Sequence, residues 1–237
     1  MESVNVVISG FDPYEGVERN PSRIVVEQFA REGIDPQDNR QDDFLSDVRV
    51  NITPVMLPIS FEKAWEVLED TLEEQDPNVV IATGFARSAR GMLLERCAVN
   101  LMDISRKISG KGMDSGLSGE PDMDEHGPID HDGPAAFWTR LPLRAILDDF
   151  GRDDIPAALS SDAGTFVCNS LFYNLMKWAT ARHRHVISGF VSLPAIVDAP
   201  HAQHGLTVGQ QVQACRDVVR EAVSYYFDPS SSDILIG

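Results

Sequence analysis

Lysine is scarce in this chain of 237 residues: only four of its 20 basic residues are lysines. Acidic residues number 37, so the formal net charge is −17. A surface with this charge repels a phosphate backbone, and we therefore expect no nucleic-acid partner. Strong acidity with little lysine is typical of proteins that work in concentrated salt, where ions screen the self-repulsion. We favour a halophilic acidic protein over an ordinary acidic cytosolic one.

Cysteines and long apolar runs are also few. Cys97, Cys168 and Cys215 are scattered and odd in number, which predicts no disulfide framework. No apolar run reaches the length needed to span a membrane, and the start Met1-Glu2-Ser3 lacks the features of a signal peptide. We expect a cytoplasmic protein that does not contact membranes.

Hydrophobic periodicity predicts strands that alternate with helices. Short apolar runs predict strands over 4–9, 48–58 and 78–83, with weaker candidates over 97–102 and 157–159. Amphipathic spacing predicts helices over 21–31, 61–74, 143–150 and 207–226. Such alternation implies an α/β fold whose sheet is covered on both faces, and the length suits a single domain. We expect that domain over 1–228 and a mobile tail over 229–237.

Cys168 is the candidate nucleophile. Turn-prone residues precede it, and Leu171, Leu175 and Trp178 follow it at helical spacing. A cysteine on the first turn of a helix feels the positive end of the macrodipole, which favours the nucleophilic thiolate. The alternative is a small buried apolar residue, the usual role of a free cysteine.

The residues around this cysteine resemble a known family. The run Ala163-Gly-Thr-Phe-Val-Cys-Asn169 is similar to the nucleophile motif of pyroglutamyl peptidase I, a cysteine-type omega-peptidase. Three further blocks agree in order and spacing: Gly10-Phe-Asp-Pro-Tyr-Glu-Gly16 with Asn20-Pro-Ser22, Glu95-Arg-Cys-Ala-Val-Asn100, and Gly133-Pro-Ala-Ala-Phe-Trp-Thr139 with Leu141-Pro142. The resemblance implies a single-domain α/β/α sandwich with a mixed, mostly parallel central sheet. It also implies removal of N-terminal pyroglutamate from peptides without a metal or cofactor, and a homo-oligomer, a tetramer in relatives.

The resemblance assigns roles to three positions, one of which departs from the family. Cys168 matches the nucleophile and Glu95 the acid that orients the triad histidine. The family's histidine lies in a Gly-Phe-Ile-His-Val-Pro run, whereas this chain reads Gly189-Phe-Val-Ser-Leu-Pro194 and places Ser192 there. Serine cannot act as a general base near neutral pH, because its hydroxyl has no site basic enough to keep the proton. Loss of a positioned base typically lowers the rate by about 10²- to 10⁴-fold. Without the histidine, Glu95 is expected to pair with Arg90, Arg96 or Arg106.

Six positions are candidates for substrate binding. Four of them match positions that line the family's pyrrolidone pocket, although core packing is the alternative for the aromatic ones. Phe85 stands where bacterial members often carry glutamine. Arg106 falls where an apolar residue is expected at the pocket, and Ser105 replaces a family arginine beside it. The four pocket positions are Phe11, Tyr14, Phe166 and Val167.

Other histidines of the chain are candidates for the missing base. His201 and His204 lie in a polar loop beyond the strand of Ser192, where α/β enzymes collect functional groups. One of them could fold back toward Cys168; the alternative is a solvated loop histidine. A metal site on this pair lacks a third ligand nearby in the sequence. His183 and His185 are expected at the solvent-facing start of the strand.

Three functions remain open from the sequence. The first is a pyroglutamyl peptidase that works without the family histidine, on a peptide or small lactam substrate. The second is a catalytically inactive homologue that binds a small acyl or lactam ligand or a partner. The third is a thiol hydrolase with a changed substrate, in which Arg106 recruits a carboxylate or phosphate. We rank the peptidase first.

Overall fold

The computed structural model describes residues 2–14, 16–34, 47–103, 126–197 and 204–234. Its helices are α1 (Pro21–Glu32), α2 (Phe61–Gln75), α3 (Leu143–Arg152), α4 (Val167–Ala181) and α5 (Val208–Phe227). Its strands are β1 (Glu2–Phe11), β2 (Val48–Leu57), β3 (Val79–Phe85), β4 (Met92–Glu95), β5 (Cys97–Val99), β6 (Met102–Asp103), β7 (His126–Gly127), β8 (Ala136–Trp138), β9 (Ala157–Ser160) and β10 (Ile187–Leu193). No helix in these ranges is long and apolar enough to cross a membrane.

The centre of the molecule is a six-stranded sheet in the order β2-β1-β3-β10-β4-β9. The neighbours β2, β1, β3 and β10 are parallel to one another. β4 is antiparallel to β10, and β9 is parallel to β4. The expected α/β fold with a mixed, mostly parallel central sheet is therefore confirmed.

Alternate side chains of the sheet face two different helical layers. Helices α1, α3 and α5 cover one face, and α2 and α4 cover the other. On β10, Val191 and Leu193 pack into the first layer, whereas Phe190 packs into the second. Because side chains alternate along a strand, Ser192 faces the α2–α4 layer. The same period puts Gly84 of β3 and Glu95 of β4 on that face.

Sequence periodicity is wrong about one strand beside the site. A single strand over 97–102 is predicted, but β5 and β6 belong to two separate two-stranded sheets. The break falls at Asn100, whose side-chain amide bonds the backbone of Asp130 in both directions, at 2.7 and 2.9 Å. β4, which does enter the central sheet, has no counterpart among the predicted strands because four residues are too few to show a period.

The last described residues lie against α3. The backbone N–H of Arg144 donates to the carbonyl oxygen of Asp233 at 2.9 Å. The mobile tail over 229–237 stays a prediction.

Candidate active site

Cys168 lies on the first turn of α4, as the sequence predicts. The helix begins at Val167, and Phe166 at its N-cap makes no side-chain hydrogen bond to it. The sulfur rests against Gly84 near the carboxyl end of β3: a Cβ atom placed on Gly84 would lie 2.9 Å from Cys168 Sγ. Glycine at position 84 therefore lets the thiol approach the sheet. Sequence reasoning missed this contact, because no pattern pairs a strand end with a distant helix start.

Asn169 fixes the first turn of α4 to the neighbouring small sheet. Its side chain is fully buried. Its Oδ1 accepts from the N–H of Val99 at 3.0 Å, and its Nδ2 donates to the carbonyl oxygens of Val99 and Leu101 at 2.9 and 3.0 Å. These three bonds satisfy the buried amide and hold the residue next to Cys168 in place.

Ser192 and Glu95 form a buried pair beside this helix start. Ser192 Oγ donates to Glu95 Oε1 at 2.6 Å, and only 6% and 1% of the two residues is exposed. They lie on adjacent antiparallel strands in diagonal register, since Ser192 is opposite Leu93 and Glu95 is opposite Phe190. Both side chains face the α4 layer, to which Cys168 belongs. The structure thus brings together the three positions that the resemblance assigns to catalysis.

Glu95 makes no ion pair with any arginine in the described ranges. The expectation of a partner in Arg90 or Arg96 is therefore wrong. Arg96 is the next residue along the chain, and its Nε donates to Ser161 Oγ at 2.8 Å instead. Arg106, the third expected partner, lies outside the described residues, as does Ser105.

Burial sets the electrostatics of Glu95. Desolvation raises the pKa of its carboxyl group, and the nearby hydroxyls of Ser160 and Ser192 act in the opposite direction. Oε2 of Glu95 is buried and has no hydrogen-bond partner within the described part of the chain. A carboxylate in this setting holds a proton more readily than an exposed one, and is therefore a stronger base.

The thiol of Cys168 is protonated near neutral pH. The residue is half-buried, and desolvation raises the pKa of its thiol to about 12. The negative charge of Glu95 acts in the same direction, and the backbone N–H of Cys168 opposes both. With that pKa, about one thiol in 10⁵ is ionised at pH 7. The helix position alone does not overcome burial.

Three of the predicted pocket residues belong to the core layer under the site. Phe11 and Val167 are 1% and 2% exposed and pack among the residues of α2 and α4. Phe166 is half-buried, and its ring meets Phe61 edge-on with centroids 5.0 Å apart. Core packing, the alternative role of the aromatic residues, therefore applies at Phe11 and Phe166, which lie in the same layer as Cys168.

Tyr14 interacts with the thiol, and Phe85 is the last residue of the strand on which the thiol rests. Burial is the main cause that raises the pKa of Tyr14, and interaction with Cys168 adds to it. Phe85 directly follows Gly84, the residue that touches the sulfur. The guanidinium of Arg87 lies above the Phe85 ring, 5.9 Å from its centroid. Arg87 is absent from the sequence-based candidates, since nothing in its local pattern marks it.

The four histidines before and after β10 fall into three groups. His183 and His185 are exposed before β10, as expected. His201 lies outside the described residues. His204 is half-buried, and its Nε2 is buried without a hydrogen-bond partner among the described residues. No hydrogen bond or ion pair joins it to Cys168, Ser192 or Glu95 within the described ranges.

Comparison with known proteins decides what this arrangement belongs to. The family model described as pyroglutamyl peptidase matches residues 4–224. This chain belongs to the pyroglutamyl peptidase family. The pyrrolidone-carboxylate peptidase of Bacillus subtilis is 34% identical over 195 residues, which cover 81% of this chain and 78% of that protein. The pyrrolidone-carboxylate peptidase of Brachyspira hyodysenteriae is 30% identical over 224 residues, or 93% and 99% of the two chains.

The fold agrees with solved structures of the same family. The pyrrolidone carboxyl peptidase from Thermococcus litoralis gives a TM-score of 0.80 at 25% identity, covering 99% of both chains. Because the relatives are named peptidases, the expectation of an enzyme of the cysteine-type omega-peptidase class is also confirmed. In this pyroglutamyl peptidase family member, Ser192 is paired with Glu95.

Gly84→Ala should lower kcat/KM for a pyroglutamyl amide about 10²-fold, because the new methyl group would displace the thiol from its seat on β3. The added Cβ would lie 2.9 Å from Cys168 Sγ and 2.7 Å from Phe190 Cζ. Gly151→Ala is the matched control, since a Cβ there meets nothing within 4 Å. Steady-state kinetics with a melting curve for each variant checks the result. Unchanged kcat/KM in a folded Gly84→Ala protein would contradict a reacting centre at Cys168.

Glu95→Gln should become relatively more stable as the pH rises. The pKa of Glu95 is raised above its ordinary value of 4.5, so the folded state holds a proton that the unfolded state releases. The free energy of unfolding of the parent therefore falls as pH increases from about 4.5 through the folded-state pKa. Glutamine cannot ionise and escapes this loss.

Urea denaturation of both proteins between acidic and mildly alkaline pH measures the difference. Glu66→Gln, on the exposed side of α2, controls for the removal of one carboxylate. If the free energy of unfolding of Glu95→Gln minus that of the parent falls as the pH rises, the carboxylate of Glu95 is not disfavoured by burial.

Proposed function

We propose that this protein is a slow cysteine hydrolase that removes N-terminal pyroglutamate from peptides. In this proposal Cys168 is the nucleophile, and the Ser192–Glu95 pair takes the place of a histidine base. The observation that carries the proposal is the 2.6 Å hydrogen bond from Ser192 Oγ to Glu95 Oε1 on the sheet face that Cys168 also contacts. Because Ser192 donates to Glu95, its lone pairs remain available to accept a proton from a thiol.

In the proposed reaction the thiol loses its proton through a relay as the sulfur attacks. Cys168 Sγ bonds the carbonyl carbon of the pyroglutamyl residue; its proton passes to Ser192 Oγ while the Ser192 proton passes to Glu95 Oε1. The tetrahedral intermediate expels the amine of the next residue, which takes the proton back along the same path. Water then cleaves the thioester and releases pyroglutamate. The raised pKa of Glu95 supports its role as the final acceptor.

Two features support the binding of the reacting group. The N–H groups of the first turn of α4 meet no side-chain cap from Phe166, so they can face the oxyanion that develops at the carbonyl. Phe166, which is half-buried, supplies apolar surface for a small lactam ring, with Tyr14 and Phe85 at its rim, and Phe11 and Val167 support it from the core. The proposed substrate is therefore a peptide that begins with pyroglutamate.

The reaction should be slow because the thiol begins protonated. A thiol pKa of about 12 means that the proton has to leave during the attack. Neither serine nor a carboxylate matches an imidazole in basicity near neutral pH. We expect rates about 10²- to 10⁴-fold below those of a site with a positioned histidine.

Hydrolysis of a fluorogenic pyroglutamyl amide by the pure protein tests the proposal. We expect slow turnover, and none with the prolyl amide, which has the same ring size but lacks the lactam carbonyl. Ser192→Ala should lower the rate further, because it removes the proton carrier without adding bulk. Turnover that is equal for both amides, or unchanged in Ser192→Ala, would overturn the mechanism.

A second candidate is a binding protein without turnover, in which the same pocket holds a lactam or small acyl ligand. The raised thiol pKa favours it, because an un-ionised cysteine is a poor nucleophile. Binding of pyroglutamyl-alanine in a calorimeter, with no product formed after long incubation, would support this candidate over the hydrolase.

The charge of the chain sets the conditions for these measurements. With a net charge of −17 and four lysines, we propose a cytoplasmic protein adapted to concentrated salt. The assays should be run over a range of potassium chloride concentrations. A midpoint of thermal unfolding that rises steeply with salt is the expected result.

A further inference from the structure

An exposed arginine lies close in the chain to the proposed site. Arg87 follows β3 by two residues and lies above the ring of Phe85, with 5.9 Å between the guanidinium carbon and the ring centroid. Gly84, the residue before Phe85, is the one that touches Cys168 Sγ. Arg87 is therefore three residues along the chain from the glycine against which the thiol rests.

Tyr14 connects the same arginine to the thiol. The positive charge of Arg87 lowers the pKa of the Tyr14 hydroxyl, and Cys168 acts on the same pKa in the opposite direction. Tyr14 is therefore near both the guanidinium and the sulfur. A guanidinium stacked on a ring is pre-organised and loses less entropy when it binds.

No carboxylate within the described ranges forms an ion pair with Arg87. Other arginines of this acidic protein do have such partners, as the pairs Arg23–Glu27, Arg184–Asp76 and Arg216–Glu32 illustrate. Arg87 is exposed, so within those ranges its donors face solvent, where an anion can reach them. An arginine near the nucleophile offsets the negative charge of the protein, which otherwise repels anionic substrates.

We propose that Arg87 binds the carboxylate of the residue that leaves, so that the preferred substrates are pyroglutamyl dipeptides with a free C-terminus. This inference rests on the proposed hydrolase. An extended chain advances about 3.3–3.6 Å per residue. In a dipeptide the terminal carboxylate is therefore one residue from the scissile bond, and each added residue moves it farther from Arg87.

Two sources of carboxylate are compared in one experiment. The substrates are pyroglutamyl-alanine, pyroglutamyl-alanine amide and pyroglutamyl-glutamate amide, which present a terminal carboxylate, none, and a side-chain carboxylate. We expect kcat/KM for pyroglutamyl-alanine to exceed that for its amide about three- to tenfold at low salt, with the preference reduced by added salt. Pyroglutamyl-glutamate amide should show a smaller gain, because its carboxylate is farther from the backbone.

Arg87→Gln tests the assignment against the matched control Arg90→Gln, an exposed arginine of the same loop. Arg87→Gln should abolish the preference for the acid and leave kcat/KM for the neutral amide unchanged. An unchanged preference in Arg87→Gln, or an equal loss in Arg90→Gln, would overturn the role of Arg87.

A binding measurement separates this inference from the proposed hydrolase. In Cys168→Ala, calorimetric affinity for pyroglutamyl-alanine and its amide is measured with and without Arg87→Gln. A difference that disappears with Arg87→Gln supports the carboxylate site even where no turnover is seen. Equal affinities in both backgrounds would overturn it, whatever the hydrolysis assay gives.

Discussion

Ser192→His should raise kcat/KM for a pyroglutamyl amide by about 10²- to 10⁴-fold. An imidazole at this position can accept the thiol proton, which a serine hydroxyl can only relay. Its other nitrogen can donate to Glu95, whose Oε1 already accepts a hydrogen bond from residue 192 at 2.6 Å. The orienting acid for a histidine is thus in place in the parent.

The same substitution should lower the pKa of the Cys168 thiol from its value of about 12. A thiolate next to an imidazolium is stabilised by the opposite charge, and this stabilisation is absent from the parent. Alkylation of Cys168 by iodoacetamide at neutral pH, followed by mass spectrometry, measures the change. The rate of alkylation should rise together with kcat/KM.

Ser192→Gln is the matched control for size and hydrogen bonding. Glutamine fills a volume similar to that of histidine and can donate a hydrogen bond to Glu95, but it has no basic nitrogen. We expect no gain in either readout with this variant. A gain of the same size in both variants, or no gain in a folded Ser192→His protein, would contradict the view that a base is what the site lacks.

Cys168→Ala should reduce pyroglutamyl amide hydrolysis to the rate in buffer, a loss of about 10²- to 10⁴-fold. In a serine protease with a complete triad the nucleophile is worth about 10⁶ in kcat. In a site whose rate is already about 10²- to 10⁴-fold lower because the base is missing, the nucleophile accounts for the remaining factor in kcat. The binding of pyroglutamyl-alanine should persist, because alanine removes only the sulfur.

Cys97→Ala is the matched control for loss of a half-buried cysteine. Cys97 lies on β5, and its sulfur makes a long contact, 3.9 Å, with the Ser161 carbonyl oxygen. This variant should keep the full rate. Residual turnover in Cys168→Ala equal to that of Cys97→Ala would place the chemistry elsewhere in the molecule.

The sequence predicts the layers of this fold and part of its site. Amphipathic spacing finds α1, α2, α3 and α5 within two residues of their observed ends, since each buries one apolar face. Cys168 is correctly placed at a helix start, because turn-prone residues before it and apolar spacing after it mark the boundary. The period of two along a strand also explains why Ser192 faces α4 once the burial of Phe190 and Val191 is known.

What the sequence leaves out depends on long-range pairing. Whether β4 runs with or against β10 has no local signature, yet the antiparallel register is what puts Glu95 within 2.6 Å of Ser192. The high pKa of Cys168 also escapes prediction, since it results from burial against β3 rather than from the helix dipole. The sequence does not single out Arg87 for the same reason, because its proposed role depends on Tyr14, which lies 73 residues earlier in the chain.

Covalent trapping tests most directly whether Cys168 is the working nucleophile of this protein. The parent is incubated with an activated ester of pyroglutamate, quenched in acid and digested, and its peptides are analysed by mass spectrometry. We expect a pyroglutamyl thioester on the peptide that contains Cys168, and it should form faster in Ser192→His. An adduct on Cys97 instead, or no adduct in either protein while the ligand still binds, would contradict it.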